Sequence, residues 1–148
     1  MSLAQYLQDA WYKQASWLIV LRPLSWLYGL GFRLNRHLYQ SGCKSTYTAP
    51  VPVMVIGNIT VGGSGKTPLL IQLVKYLQQQ QIRVGVISRG YGGSGPFPLL
   101  VTSEVEAAVA GDEPCLIVQS TGVPMAVGAN RQAAIALLLQ STELDLII

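Results

Sequence analysis

Charge is scarce in this chain: Asp, Glu, Lys and Arg make up 11% of the 148 residues, while half of all residues are apolar. A disordered chain needs the opposite balance, so the composition excludes one and allows a compact domain with a real core. Cysteine is limited to Cys43 and Cys115, far apart and without CxxC or metal-ligand spacing. That points to a reduced, cytosolic setting in which both thiols serve packing. The N-terminus lacks a short basic region leading into an apolar core and a small-residue cleavage site, which argues against a cleaved secretion signal. Long apolar runs are missing too. Ala15–Leu21 is broken by Arg22-Pro23, and Leu24–Phe32 is short and holds two glycines, whereas a spanning helix needs about 20 mostly apolar residues. Histidine occurs once, as His37 beside Arg36, and reads as an interfacial or surface side chain rather than a catalyst. No nucleic-acid partner is expected.

The charge that is present is unevenly placed. Residues 1–48 hold five bases, Lys13, Arg22, Arg33, Arg36 and Lys44, against the single acid Asp9, and the remainder has five bases and six acids. The three tryptophans, Trp11, Trp17 and Trp26, all lie in that first third with Tyr6, Tyr12, Tyr28 and Tyr39. Residues 3–21 read as one helix, and Pro23 as the first position of a second helix running towards Ser41-Gly42, with Thr46–Pro50 as linker. Two readings of residues 1–48 stand. The helices either lie in a membrane interface, rings at headgroup depth and bases towards anionic lipid, or cover the sheet of the same protein.

From residue 49 to 148 the texture changes to short apolar runs, glycine-rich turns and helical stretches. This is the alternation of an α/β fold with a mostly parallel sheet flanked by helices. Val51–Ile56 is an apolar run suited to a strand buried on both faces. Leu69, Leu70, Leu73, Val74 and Leu77 recur at helical spacing. Val84–Ile87 is the next strand, followed by a helix near Glu113–Ser120, a strand at Val123–Val127, a helix at Asn130–Gln140 and a strand at Leu144–Ile148.

Between the first strand and its helix lies Gly57-Asn58-Ile59-Thr60-Val61-Gly62-Gly63-Ser64-Gly65-Lys66-Thr67-Pro68. Its end is a Walker A loop of P-loop NTPases, with Thr60 where the first glycine is usual. In such a loop Gly62, Gly63, Ser64 and Gly65 turn backbone N–H groups onto phosphate, helped by the positive end of the following helix. Lys66 would reach the β- and γ-phosphates of ATP, and the Thr67 hydroxyl would bind Mg²⁺. Partition-type ATPases place a lysine just before the Gly-Gly pair, and here that position is Val61.

This loop, followed by Ser88-Arg89-Gly90-Tyr91-Gly92, then by Gly111-Asp112-Glu113-Pro114 and Arg131, resembles the tetraacyldisaccharide 4′-kinases, the lipid A kinases of Gram-negative bacteria. The resemblance runs from the aromatic N-terminal helices to Ile148. It implies an ATP- and Mg²⁺-dependent kinase that phosphorylates the 4′-hydroxyl of a tetraacylated glucosamine disaccharide, working peripherally at the cytoplasmic face of the inner membrane. It further implies that Asp112 is the catalytic acid placed to deprotonate the acceptor, with Lys66 serving catalysis, and that Arg89 and Tyr91 contact the phosphates or the glucosamine head. Local sequence offers other roles: Asp112 as a helix N-cap, Arg89 and Tyr91 in a surface turn, and Asn130 with Arg131 either on phosphate or acceptor or as an exposed first-turn pair.

In that family the Leu144–Ile148 strand continues into Asp-Asp-Gly and a second domain. The expectation is therefore an N-terminal portion of a longer protein, binding nucleotide weakly and turning over negligibly by itself. P-loop enzymes commonly place a Mg²⁺-binding acid at the carboxyl end of such a strand, and Asp145 cannot stand in for it, because it lies at the strand's start, away from the ligand edge. Two further readings are a nucleotide-switched membrane-binding module of the partition or site-selection type, and a non-catalytic remnant.

Overall fold

A computed structural model describes residues 10–12, 16–57 and 65–148. The chain divides into two units, Met1–Tyr47 and Thr48–Ile148. In the first, a 3₁₀ helix over Ser16–Leu21 runs into helix α1, Arg22–Gln40. The single helix expected over residues 3–21 lies partly outside the described residues, and its last turns are wound more tightly than expected. Pro23 gives the reason, since its ring clashes with the carbonyl four residues back and it has no N–H to donate, so an α-helix cannot run through it. Within the first turn of α1 the same proline costs little.

No residue of α1 is buried. Leu24, Trp26, Leu27, Leu30 and Leu34 are exposed together with Tyr28 and Phe32. No helix among the described residues is long and apolar enough to cross a membrane. After α1, the Lys44 ammonium donates to Asn35 Oδ1 at 2.6 Å and sits 5.3 Å from the Tyr39 ring centre.

In the second unit, helix α2 (Lys66–Gln79) leads to strand β1 (Val84–Ser88). Next come β2 (Leu99–Val101), the one-turn helix α3 (Ala107–Ala110) and helix α4 (Asp112–Thr121). Strand β3 (Met125–Val127), helix α5 (Arg131–Ser141) and β4 (Leu146–Ile147) complete it. The sheet order is β2-β3-β1-β4, with β1 parallel to both neighbours and β2 antiparallel to β3.

Strand alternation sorts the core into two layers. Val84, Val86, Met125 and Val127 face a cluster with Val74 of α2 and Ile117 and Val118 of α4. Ala126 and Ile147 face the other way, against Ala134, Ile135 and Leu138 of α5. Both faces of β1 and β3 are thus covered, which is why these strands read as unbroken apolar runs. Gly85 lets α5 come close, since a Cβ there would lie 2.8 Å from Leu138 Cδ2 and 2.4 Å from Leu144 Cδ1.

Val51–Ile56 departs from expectation. It makes only a one-residue parallel bridge, Val53 to Ile147, through Met54 N–H to the Ile147 carbonyl and Ile147 N–H to the Pro52 carbonyl. Val53, Met54 and Val55 are exposed rather than buried on both faces. Among the described residues this segment lies outermost in the sheet, beyond β4, and Pro52 has no N–H to extend the ladder.

Arg83 and Asp145 fasten the starts of β1 and β4 at the end of the sheet opposite the glycine-rich turns. The Arg83 guanidinium donates to Asp145 Oδ1 at 2.6 Å and Oδ2 at 3.1 Å, its backbone N–H donates to Oδ2 at 2.9 Å, and Glu143 accepts a further bond at 2.6 Å. The bonds from Arg83 to Asp145, the side-chain ones first and then the backbone one, lower the Asp145 carboxyl from 3.8 to about 2. A carboxyl depressed in the folded state adds stability that is full above its unfolded value and lost as pH falls through its folded value. Solvent exposure keeps that contribution small. In a series of thermal melts, Asp145→Asn is expected to flatten part of the acid-induced fall between about pH 4 and 2; an unchanged fall would show that the pair does not hold the strand ends.

Candidate functional site

Parallel strands bring their C-terminal ends to one edge, and in open α/β sheets ligands bind there. At this edge a cleft of about 320 Å³ opens between the starts of α2, α4 and α5 and the end of β1. Its polar wall is formed by Lys66, Ser88, Arg89, Tyr91, Glu113 and Arg131, and its floor includes Ile56, Leu70, Val86 and Ile117. Three cations face one carboxylate, and among the described residues the only ion pairs are those of Arg83. An excess of uncompensated positive charge in a cleft suits a polyanion such as a nucleotide phosphate chain.

Each polar group is delivered by a helix start or a strand end. Gly65 ends the phosphate loop in a left-handed conformation, φ +73°, as the N-cap of α2, and Lys66 follows as its first residue. Gly62, Gly63 and Ser64 lie outside the described residues. Arg89 and Tyr91 follow β1 directly, and the Tyr91 side chain is almost fully exposed at the cleft. Arg131 is the first residue of α5. Lys66, Arg89, Tyr91 and Arg131, separated by up to 65 positions in sequence, therefore line one cleft.

Asp112 and Asn130 take different positions. Asn130 does not line the cleft; its Oδ1 accepts the Ala133 N–H at 3.1 Å and caps α5, so this side-chain oxygen orients the helix that carries Arg131. Asp112 is not the cap of α4. That position is Gly111, and Asp112 is the first helical residue, exposed, with no side-chain bond to the helix backbone. A carboxylate in the first turn is favoured by the helix dipole.

The neighbour of Asp112 was not singled out from sequence. Glu113 lines the cleft, and its Oε1 accepts the Thr67 hydroxyl proton at 2.5 Å. Successive helical residues project about 100° apart, so only one carboxylate of an Asp-Glu pair can face a given partner. The tripeptide Asp-Glu-Pro announced a helix start but not which acid turns to the phosphate loop. Thr67 and Glu113 together offer two hard oxygen ligands. A Mg²⁺ ion commonly takes one or two carboxylates and completes its shell with phosphate oxygens and water, so this donor set fits it. Among the described residues, no group of three or more His, Cys, Asp or Glu could hold a metal without such help.

The family model of the tetraacyldisaccharide-1-P 4′-kinases, LpxK, matches residues 17–148. The chain belongs to this family. It is 59% identical over 150 residues to the tetraacyldisaccharide 4′-kinase of Psychrobacter cryohalolentis, covering all of this chain and 40% of that protein. It is 50% identical over 139 residues to the one from Mannheimia succiniciproducens, covering 93% of this chain and 43% of that protein. A crystal structure of LpxK from Aquifex aeolicus in complex with ATP superposes with a TM-score of 0.73 at 32% identity, over 87% of this chain and 42% of that one. The chain thus spans about 40% of the length of the curated relatives it matches. Membership of the LpxK family answers the partition-type alternative in the direction that Val61 indicated.

Proposed function

We propose that the full-length protein carrying this chain transfers the γ-phosphate of ATP to the 4′-hydroxyl of a tetraacylated glucosamine disaccharide 1-phosphate, a step of lipid A biosynthesis. The observation that carries this reading is the convergence of Lys66, Arg89 and Arg131 on one cleft at the carboxyl edge of the sheet, faced by Glu113 and Thr67. Phosphoryl transfer asks a protein mainly for positioning and charge stabilisation, which such a cleft supplies. Lys66 draws the β- and γ-phosphates to the start of α2. Arg89 and Arg131 take the charge that spreads over the transferring group or fix the acceptor head. Asp112 orients the 4′-hydroxyl and accepts its proton as the new O–P bond forms and the bond from Pγ to the bridging oxygen breaks, leaving ADP. Mg²⁺, held by Thr67 and Glu113 with phosphate oxygens, would neutralise charge on the β- and γ-phosphates.

The test is transfer of label from [γ-³²P]ATP to the purified acceptor by the full-length protein. Labelled lipid that depends on Mg²⁺ supports the reading, and ATP hydrolysis without labelled lipid overturns it.

Residues 1–48 serve this reaction by holding the protein peripherally on the cytoplasmic face of the inner membrane, where the acyl chains of the acceptor reside. The exposed Trp26, Leu27 and Leu30 with Arg33 on α1 support this assignment. An interfacial helix combines apolar burial with attraction to anionic lipid. In flotation with phosphatidylglycerol-containing vesicles, Trp26→Ala with Leu30→Ala is expected to lower bound protein by about tenfold, on the order of 1.4 kcal/mol. Unchanged flotation would favour the other reading, in which α1 covers protein.

A further inference from the structure

Backbone contacts join the loop after β1 to the residue that starts α4. In the loop, Ser94 and Gly95 donate their N–H groups to the carbonyls of Ala108 and Val109 in α3, each at 3.0 Å. Ser94 Oγ also donates to the Ala108 carbonyl at 2.9 Å. These bonds press Gly93 onto the end of α3. A Cβ on Gly93 would lie 2.4 Å from the Val109 carbonyl oxygen, 2.8 Å from the Ala110 carbonyl carbon and 3.0 Å from Gly111 N. All three are backbone atoms, so no rotation of a neighbouring side chain makes room. Gly111 answers from the other side: a Cβ there would lie 2.7 Å from the Tyr91 carbonyl oxygen, and its φ of +100° with ψ of 153° is a conformation open essentially to glycine.

The two segments joined in this way are those that carry the polar groups of the site. Arg89 and Tyr91 sit on one, and Asp112 and Glu113 follow Gly111 on the other. We propose that Gly93 and Gly111 are positioning residues for phosphoryl transfer: their bare backbones hold the loop of Arg89 and Tyr91 against the start of α4, fixing the distance between the phosphate-side cations and the two carboxylates.

The contact lies at the edge of the core: Gly93 is half-buried, while Gly111 is buried beside Ala110 of the core cluster. Beneath it, α4 is anchored to the sheet independently, through Ile117 and Val118 against Val86 and Met125. A displacement at Gly93 therefore moves the site while the fold persists. The ATP-side group Lys66 stands on α2 and is not part of the contact. Misplacement of reacting groups by about 1 Å costs on the order of 10²-fold in rate, so the effect belongs in kcat, with little change in ATP affinity.

This inference rests on the kinase reading above, and steady-state kinetics of the full-length protein tests the two separately. Gly93→Ala is expected to lower kcat by at least about tenfold while the KM for ATP stays within about threefold, the pattern of an interaction lost in the transition state rather than in nucleotide binding. Gly85→Ala supplies the comparison, because its Cβ enters the opposite face of the sheet against Leu144 and Leu138. It should lower Tm at least as much and leave kcat of the folded protein within about twofold. If Gly93→Ala does not fold, Ser94→Ala decides, since it removes only the hydroxyl bond to Ala108; a several-fold fall in kcat with ATP KM unchanged is expected. A folded Gly93→Ala enzyme with wild-type kcat overturns the proposal, as does a loss no larger than that of Gly85→Ala, or an unaltered Ser94→Ala where Gly93→Ala is unfolded. A wild-type protein without transfer activity would instead overturn the kinase reading itself.

Discussion

Lys66→Ala is expected to lower phosphoryl transfer by the full-length protein at least about 10²-fold, with the fold intact and, on the role proposed for residues 1–48, vesicle binding unchanged. One preorganised charge or donor removed from a phosphate or oxyanion site typically costs about 10²–10³-fold, and the other cations of the cleft, Arg89 and Arg131, stand on different segments, after β1 and at the start of α5. Lys66 is the first residue of α2, exposed in the cleft, and engaged in no ion pair with a described carboxylate. Among the described residues its ammonium is in no ion pair, so circular dichroism and the melting temperature should be close to wild type. Lys66→Arg should not restore activity, because a forked guanidinium does not substitute for a compact point charge between two phosphates. Label transfer from ATP and nucleotide titration check both variants. Transfer within about threefold of wild type would mean that the phosphates bind elsewhere. Loss of vesicle binding would mean that the two units do not have separate roles.

Leu138→Ala is expected to destabilise the second unit by about 2–5 kcal/mol, the range for removing a fully buried leucine. Leu138 is fully buried and belongs to the cluster of Ala134, Ile135, Leu144 and Ile147 that covers the α5 face of the sheet. The partners that would have to close the cavity are fixed: Gly85 and Ala126 present backbone and a methyl group, and Ile147 is part of a strand. Domains of this size have total stabilities of about 5–15 kcal/mol, so the variant should unfold in far less denaturant and show a sharply lower Tm. Leu138→Met keeps the volume and should cost less than about 1.5 kcal/mol. Denaturant melts of the three proteins give the comparison. A loss under about 1 kcal/mol for the alanine variant would contradict the packing described for α5.

These predictions draw on parts of the molecule that differ in how far the sequence disclosed them. β1, α4 and α5 were legible because each carries an uninterrupted apolar run or a helical spacing strong enough to override local propensity. The strand expected at Val51–Ile56 reduced to a single bridge, since apolar character alone does not reveal that Pro52 and an outer sheet position limit pairing. β2 escaped notice because three residues, Leu99–Val101, carry no period, and its antiparallel pairing depends on the distant Met125–Val127. Within the site, Lys66, Arg89, Tyr91 and Arg131 were found from motifs that stand at turn positions. Glu113 was not, because a linear motif does not tell which acid of Asp112-Glu113 points at Thr67. Asn130 was read with Arg131 as part of the ligand surface, while its side-chain oxygen serves the helix cap. The clamp of Gly93 and Gly111 was hidden for a related reason: a close approach of two backbones exists only once the chain is folded.

A crystal structure of the full-length protein with a non-hydrolysable ATP analogue and Mg²⁺ tests the central claim most directly. The account expects the terminal phosphate within hydrogen-bonding distance of Lys66 Nζ, about 2.7–3.2 Å, directed into the cleft bounded by Arg89, Glu113 and Arg131. A triphosphate bound away from Lys66, or one whose terminal phosphate points out of that cleft, would contradict it.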